Sequence, residues 1–319
     1  MNRRTLLAAA AGLVAGAPCP ARAAPRLVWT RLSGRPAGGL PIAILPPATG
    51  PGPPPVIIFS HGYAARPTAF IRLVAPWVAA GFLLLMPEHL DSSARGAPRW
   101  PSFSELERYA TLRIADIDAI LTALPSLAAQ AGVTPAADQI GFGGHSFGAW
   151  TAAVIAGARV FLPGGAEKSF ADPRPSAFFL LAAPAVPPRA DARHPFQGLA
   201  RDSFAALTRP LLLIDGTLDD GPGAASYRER LAAYELSPPG EKYLGIARDS
   251  THLTLAGIAP PADGPLDAIA ARSLANAQAL ALPFWRAFVA GQRPSLAWLD
   301  GPAPYAIDPE NFTFARRLG

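Results

Sequence analysis

Short, almost wholly apolar runs alternate along this chain with longer segments of helical periodicity, and that alternation constrains the fold more than any other feature. The runs are Val56–Phe59, Phe82–Leu85, Gln139–Phe142, Phe178–Leu181, Leu211–Ile214 and Lys242–Ile246. A strand that is apolar at consecutive positions has both faces buried, the condition of a parallel sheet covered by helices on either side. Helical spacing is clearest over Glu105–Leu124, where Leu106, Ala110, Ile114, Ile117, Leu121 and Leu124 recur every three or four residues. One face of that helix should pack on the sheet. Further helices are expected over Thr68–Ala80, Phe147–Ala158, Ser226–Leu236 and Leu266–Ala290, the last breaking at Pro283. The class is therefore α/β, with a doubly wound, mostly parallel sheet. Pro46–Pro55 reads as a loop that separates an N-terminal strand pair from the main body. Ala182–Thr208 is too short and too proline-rich for a large lid domain and should form a short loop cap.

The first residues read as an export signal. Arg3 and Arg4 supply a basic start, Leu6 to Ala17 an apolar stretch, and Ala21-Arg22-Ala23 a cleavage signal. The apolar stretch ends at Pro18, short of the ~20 residues that cross a bilayer, so residues 1–23 are expected to be removed and no stable membrane anchor is expected. Asn2-Arg3-Arg4-Thr5-Leu6-Leu7 resembles a twin-arginine signal. The remaining chain, 24–319, is expected to be one domain in the periplasm or outside the cell. The sole cysteine, Cys19, leaves with the signal, so neither a disulfide nor a thiol nucleophile belongs to the mature protein. Processing also removes Arg3, Arg4 and Arg22 and no acid, which takes the formal charge from +5 to +2. The basic residues are scattered, with Lys168 and Lys242 the only lysines, which argues against nucleic acid as a partner.

Within this frame, Gly144-His145-Ser146-Phe147-Gly148 is a G-x-S-x-G sequence lying between the strand that ends at Phe142 and the helical Ala149–Ala158. That is the strand, elbow and helix setting of a serine nucleophile. The turn is so sharp that side chains two positions either side of the serine would collide, and glycine stands at both. A neutral serine needs a general base, itself held in one tautomer by an acid, and in this arrangement the two follow the serine as acid, then histidine. His61, His89 and His145 do not follow it; His194 and His252 do. His252 is favoured because its loop comes after the last predicted strand. Leu211–Ile214 runs into a turn offering three acids, Asp215, Asp219 and Asp220. Asp219 is favoured, since Asp215 is still on the strand end; turn capping is the ordinary use of the other two. The oxyanion formed on an attacked carbonyl takes two backbone donors, expected at Phe147 and at Tyr63, which follows Ser60-His61-Gly62 after an early strand.

Candidates to line a substrate pocket are His61, Phe70 and Trp150, with Tyr63 and Trp100 also in range; core packing is the alternative for each aromatic and a structural role the alternative for His61. The histidines show no metal-ligand spacing, and no phosphate-binding glycine loop is present, so neither metal nor cofactor is expected.

Phe59-Ser60-His61-Gly62-Tyr63, the Ser146 pentapeptide, Gly216-Thr217-Leu218-Asp219 and Thr251-His252-Leu253-Thr254 together resemble the α/β-hydrolase family. The likeness covers most of residues 42–292 and, more narrowly, resembles the bacterial branch near platelet-activating-factor acetylhydrolases and predicted dienelactone hydrolases. It implies a cofactor-free esterase acting on a small-molecule ester, with a triad at Ser146, Asp219 and His252. Dienelactone hydrolases proper have cysteine where this chain has Ser146, so their particular chemistry is not implied. An amidase or peptidase on the same fold, and a non-catalytic binding protein, are the competing expectations; oligomeric state is left open.

Overall fold

The computed structural model describes residues 25–319 apart from 49, 51, 100, 163–165, 187–197, 221–225 and 259–263. The expected export signal, His194 and Trp100 therefore lie outside the described residues, as does part of the expected cap.

All six apolar runs are strands, and they form the parallel body of a nine-stranded sheet. In chain order its strands are β1 (Val28–Leu32), β2 (Leu40–Leu45), β3 (Val56–Ser60), β4 (Leu83–Pro87), β5 (Ile140–His145), then, after a small ribbon of β6 (Val160–Phe161) and β7 (Glu167–Lys168), β8 (Ala177–Leu181), β9 (Leu211–Gly216), β10 (Lys242–Ala247) and β11 (Phe312–Arg317). Across the sheet the order is β1-β2-β4-β3-β5-β8-β9-β10-β11. Neighbours from β4 to β10 are parallel, whereas β1, β2 and β11 add antiparallel edges. The N-terminal strand pair is thus an extension of the main sheet. β11 was not expected from the sequence, which assigned no element beyond Ala290; its Phe312 and Phe314 face the core while Thr313 faces solvent.

Strand residues alternate between two cores. Val56 and Ile58 of β3 join one cluster with Phe142, Phe178 and Leu213, and Ile57 and Phe59 join the other with Phe179, Leu212 and Ile214. Helices α2 (Phe103–Gln130), α3 (Phe147–Ala156) and α4 (Ala232–Glu235) cover the first face; α1 (Ile71–Ala79), α5 (Ala268–Phe288) and α6 (Arg293–Leu299) cover the second. Ser102 starts α2 with a reciprocal cap: its hydroxyl accepts from the Glu105 amide while the Glu105 carboxylate accepts from the Ser102 amide.

Two expectations need correction. Ser226–Leu236 is not one helix but a 3-10 segment, Tyr227–Leu231, followed by the single turn of α4. α5 does not break at Pro283. An interior proline costs a helix about 3 kcal/mol. Leu280, Ala281, Phe284 and Trp285 around it are wholly buried, and each large side chain returns about 1.5–3 kcal/mol. Packing on the sheet therefore outweighs the local penalty. No helix of the described residues is long and apolar enough to cross a membrane.

Candidate active site

Four loops at the carboxyl ends of β3, β5, β9 and β10 carry the residues singled out from the sequence, the end of a parallel sheet at which ligands bind. Ser146 joins β5 to α3 with φ 56° and ψ −114°. A serine held there stores on the order of 1–3 kcal/mol of backbone strain, sustained only where the surroundings fix it. They do. A Cβ on Gly148 would lie 1.9 Å from the Ser60 carbonyl oxygen, and one on Gly144 would lie 2.4 Å from the Gly148 carbonyl carbon. Only glycine lets β5, α3 and the end of β3 approach so closely. The Ser146 amide donates to Leu181 O at 3.0 Å, pinning the elbow to β8.

Beside the elbow, His252 Nδ1 meets both carboxylate oxygens of Asp219, at 3.0 and 2.9 Å. A carboxylate can only accept, so Nδ1 carries a proton and Nε2 is the nitrogen turned away from the carboxylate. Asp219 is fully buried and is also held by Arg230, whose Nε lies 3.1 Å from Oδ1 and which donates to Ala183 O at 2.9 Å. Burial alone would raise the Asp219 carboxyl; the hydrogen bond from His252 and the Arg230 guanidinium outweigh it and hold it below the usual carboxylate range. The three acids of the turn are thereby distinguished. Asp215 is buried, accepts from the Gly216 amide at 2.8 Å, and is pushed well up by burial and by the Asp219 charge, so it stays neutral. Asp220 is exposed. Only Asp219 reaches the histidine. The acid and base loops are also tied by backbone: Leu218 N donates to Ser250 O at 3.0 Å and Asp249 N to Thr217 Oγ1 at 2.8 Å.

His145, the residue before the serine, tethers the base to the elbow. Its Nε2 donates to the His252 carbonyl at 2.8 Å, and the two rings lie 4.7 Å apart. Burial pushes His145 down to about 3, so it is neutral. Tyr63 and Phe147 flank Ser146 from β3 and α3, and among the described residues neither backbone N–H has an acceptor within the protein. Each is free to donate to a ligand.

The structure aligns with a ferulic acid esterase from Streptomyces cinnamoneus over 94% of this chain and 98% of that one, with TM-score 0.59 and 15% identity. It aligns with a candidate dienelactone hydrolase from Klebsiella pneumoniae over 82% and 100% of the two chains, with TM-score 0.53 and 15% identity. This chain has the α/β-hydrolase fold. No family model and no curated protein matches the sequence.

On this α/β-hydrolase frame the residues named as pocket candidates have other occupations. His61 is 1% exposed; its Nδ1 donates to Gly62 O at 2.6 Å and its Nε2 accepts from the His89 amide at 3.1 Å, leaving no ring nitrogen for a substrate. Phe70 is buried between Phe59 and His145. Trp150 is buried, its ring 5.4 Å from that of Phe147 and tilted against it. Among the described residues no three His, Cys, Asp or Glu side chains converge as a metal site would require.

The sequence reading missed Arg230, Asp91, Arg113 and Asp116. Arg113 is wholly buried on the inward face of α2, three residues after Ala110 and four before Ile117. A charge inside an apolar stripe is the signal that marks it, because a charged side chain is almost never buried there without a partner.

Proposed function

We propose that this protein is an exported serine hydrolase that cleaves carboxylic esters of short to medium acyl chains. The observation that carries the reading is the convergence, on one sheet edge, of a strained serine, a histidine whose Nδ1 is fixed on a buried carboxylate, and two unengaged backbone N–H groups beside that serine. Ser146 Oγ attacks the ester carbonyl while His252 Nε2 takes its proton; Asp219 keeps the ring in the tautomer that allows this and stabilises the imidazolium. The amides of Tyr63 and Phe147 receive the oxyanion. His252 then returns the proton to the leaving alcohol, and a water deacylates Ser146 by the reverse sequence. The structural neighbours are consistent with this reading in name: one is a ferulic acid esterase and the other a candidate lactone hydrolase. Leu218 and Leu253, exposed and next in sequence to the acid and the base, offer apolar surface to the acyl or alcohol portion.

Hydrolysis of p-nitrophenyl acetate, butyrate, octanoate and palmitate by the chain from Ala24, with Ser146→Ala beside it, tests the proposal. Turnover should be fastest on the shorter chains and fall at least about 10³-fold in the variant. Equal rates in both proteins would overturn it, and cleavage of p-nitroanilides in preference to esters would move the assignment to amide bonds. Export is tested separately by sequencing the N-terminus of the protein recovered outside the cytoplasm, expected at Ala24.

A further inference from the structure

Behind the Ser60–Tyr63 loop lies a buried polar assembly that the triad chemistry does not use. At its centre is Arg113, whose Nε and Nη2 grip the Asp91 carboxylate at 3.0 and 2.7 Å. Both groups are about 1% exposed, and a buried ion costs several kcal/mol unless its partner and its remaining hydrogen bonds are in place. The remaining guanidinium hydrogens all go to one loop: Nη1 donates to Ser60 Oγ at 3.0 Å and to His61 O at 2.8 Å, and Nη2 to Gly62 O at 3.4 Å. The face of the same guanidinium lies 4.5 Å from the centre of the Phe147 ring. The Ser60 hydroxyl in turn donates to His89 Nε2 at 2.9 Å, and His89 Nδ1 donates to Asp116, which Arg35 Nε holds at 2.7 Å. One chain of hydrogen bonds thus runs from Arg35, between β1 and β2, through Asp116, His89 and Ser60 to Arg113 and the oxyanion loop.

Peptide geometry gives the assembly its consequence. The Gly62 carbonyl and the Tyr63 N–H belong to one planar, trans peptide and point in opposite directions. His61 Nδ1 at 2.6 Å and Arg113 Nη2 at 3.4 Å join the Ala65 amide of the turn, at 3.2 Å, in holding that carbonyl inward, so the N–H is turned outward. The same peptide lies against the nucleophile: a Cβ on Gly62 would be 3.3 Å from the Ser146 Cβ.

We infer that His61 and Arg113 are positioning residues that lock the Gly62–Tyr63 peptide with its N–H aimed at the oxyanion formed on Ser146. This rests on the esterase reading above. Neither residue touches substrate. Their removal should therefore act on the transition state through a misdirected donor, and leave ground-state binding nearly intact.

The test uses the mature chain, Arg113→Lys and His61→Phe, with sites counted by the endpoint of fluorophosphonate titration so that turnover is expressed per folded site. On p-nitrophenyl butyrate, kcat per site should fall about 10- to 100-fold, less than or equal to the loss of an entire oxyanion donor, with KM within about threefold. The inhibition constant of a trifluoromethyl ketone, whose serine adduct carries the oxyanion, should rise by the same factor. Ser60→Ala, which removes a single hydroxyl, should give a smaller loss in the same direction and serves where Arg113→Lys yields no folded protein. Unchanged kcat per site, or a change confined to KM, would overturn the positioning role and leave the esterase standing. A wild-type chain that neither turns over the ester nor is titrated would overturn both.

Discussion

Two aspartates four residues apart on the same turn have opposite electrostatic fates, and a pair of conservative substitutions separates them. Asp219 is ionised because His252 and Arg230 outweigh its burial, whereas Asp215 is kept neutral by burial beside the Asp219 charge. Replacing Asp219 with Asn removes the acceptor that holds Nδ1–H and allows the unproductive tautomer, so kcat should fall on the order of 10⁴-fold. Replacing Asp215 with Asn exchanges one neutral group for another of nearly the same shape, and kcat should stay within about threefold. Steady-state kinetics on p-nitrophenyl butyrate at pH 7.5 decide it. Equal collapse in both variants would mean that Asp215 carries negative charge in the working enzyme. From the sequence, strand position alone favoured Asp219; the reason that Asp215 is unsuitable, burial beside the Asp219 charge with no contact to His252, is a property of the folded sheet edge.

At the scale of elements, the elbow strand and the last long helix are fitted to each other. β5 presents Gly141 where a Cβ would fall 2.5 Å from Trp285 Cζ3, so the α5 tryptophan rests directly on bare backbone. Gly141→Ala should then destabilise by about 1–3 kcal/mol through overpacking. Trp285→Phe, which opens a gap, should also destabilise alone. Combined, the two should cost clearly less than their sum, because the smaller ring vacates the volume that the methyl needs. Urea unfolding of the four proteins provides the cycle, and strict additivity would show that the contact does not limit packing. The strands that bury both faces were legible from consecutive apolar residues, as was α2 from its stripe. α6 and β11 were not. β11 is held by Phe312 and Phe314 meeting Tyr243 and α5 from a distant part of the chain, so its local sequence carries little of the information. The Pro283 error has the same origin: the burial of Phe284 and Trp285 that keeps α5 continuous exists only once the sheet is assembled. Ser146 was readable because its elbow is encoded within five residues, and Arg113 was not read because its partners, Asp91, Ser60, His61 and Gly62, are supplied by two other loops.

For the molecule as a whole, the buried histidines make stability a function of pH in a window that covers mildly acidic conditions. Burial pushes His61 and His145 from 6.5 down to about 3, and His89 moves in the same direction. In the unfolded chain each would titrate near 6.5. As pH falls below that value the unfolded state takes up protons that the native state cannot accept, so stability is lost; each such group contributes up to about 1.4 kcal/mol per pH unit. Asp215 and Asp116 work in the opposite sense, since burial raises both and the native state keeps protons that the unfolded chain releases above about 4. Three groups against two leave the native state short of protons between roughly pH 4 and 6.5, and stability should fall on acidification through that range. Below it the loss steepens, because Asp91 and Asp219, held down by Arg113 and by His252 with Arg230, must then be protonated as well. Urea midpoints at pH 7, 6 and 5 should therefore decline, and His145→Gln, whose amide can still donate to the His252 carbonyl, should decline less steeply by close to one proton. Parallel curves for the two proteins would show that His145 is protonated in the native state, and with it that the tether between elbow and base is an ionic contact instead of the neutral hydrogen bond that its burial dictates.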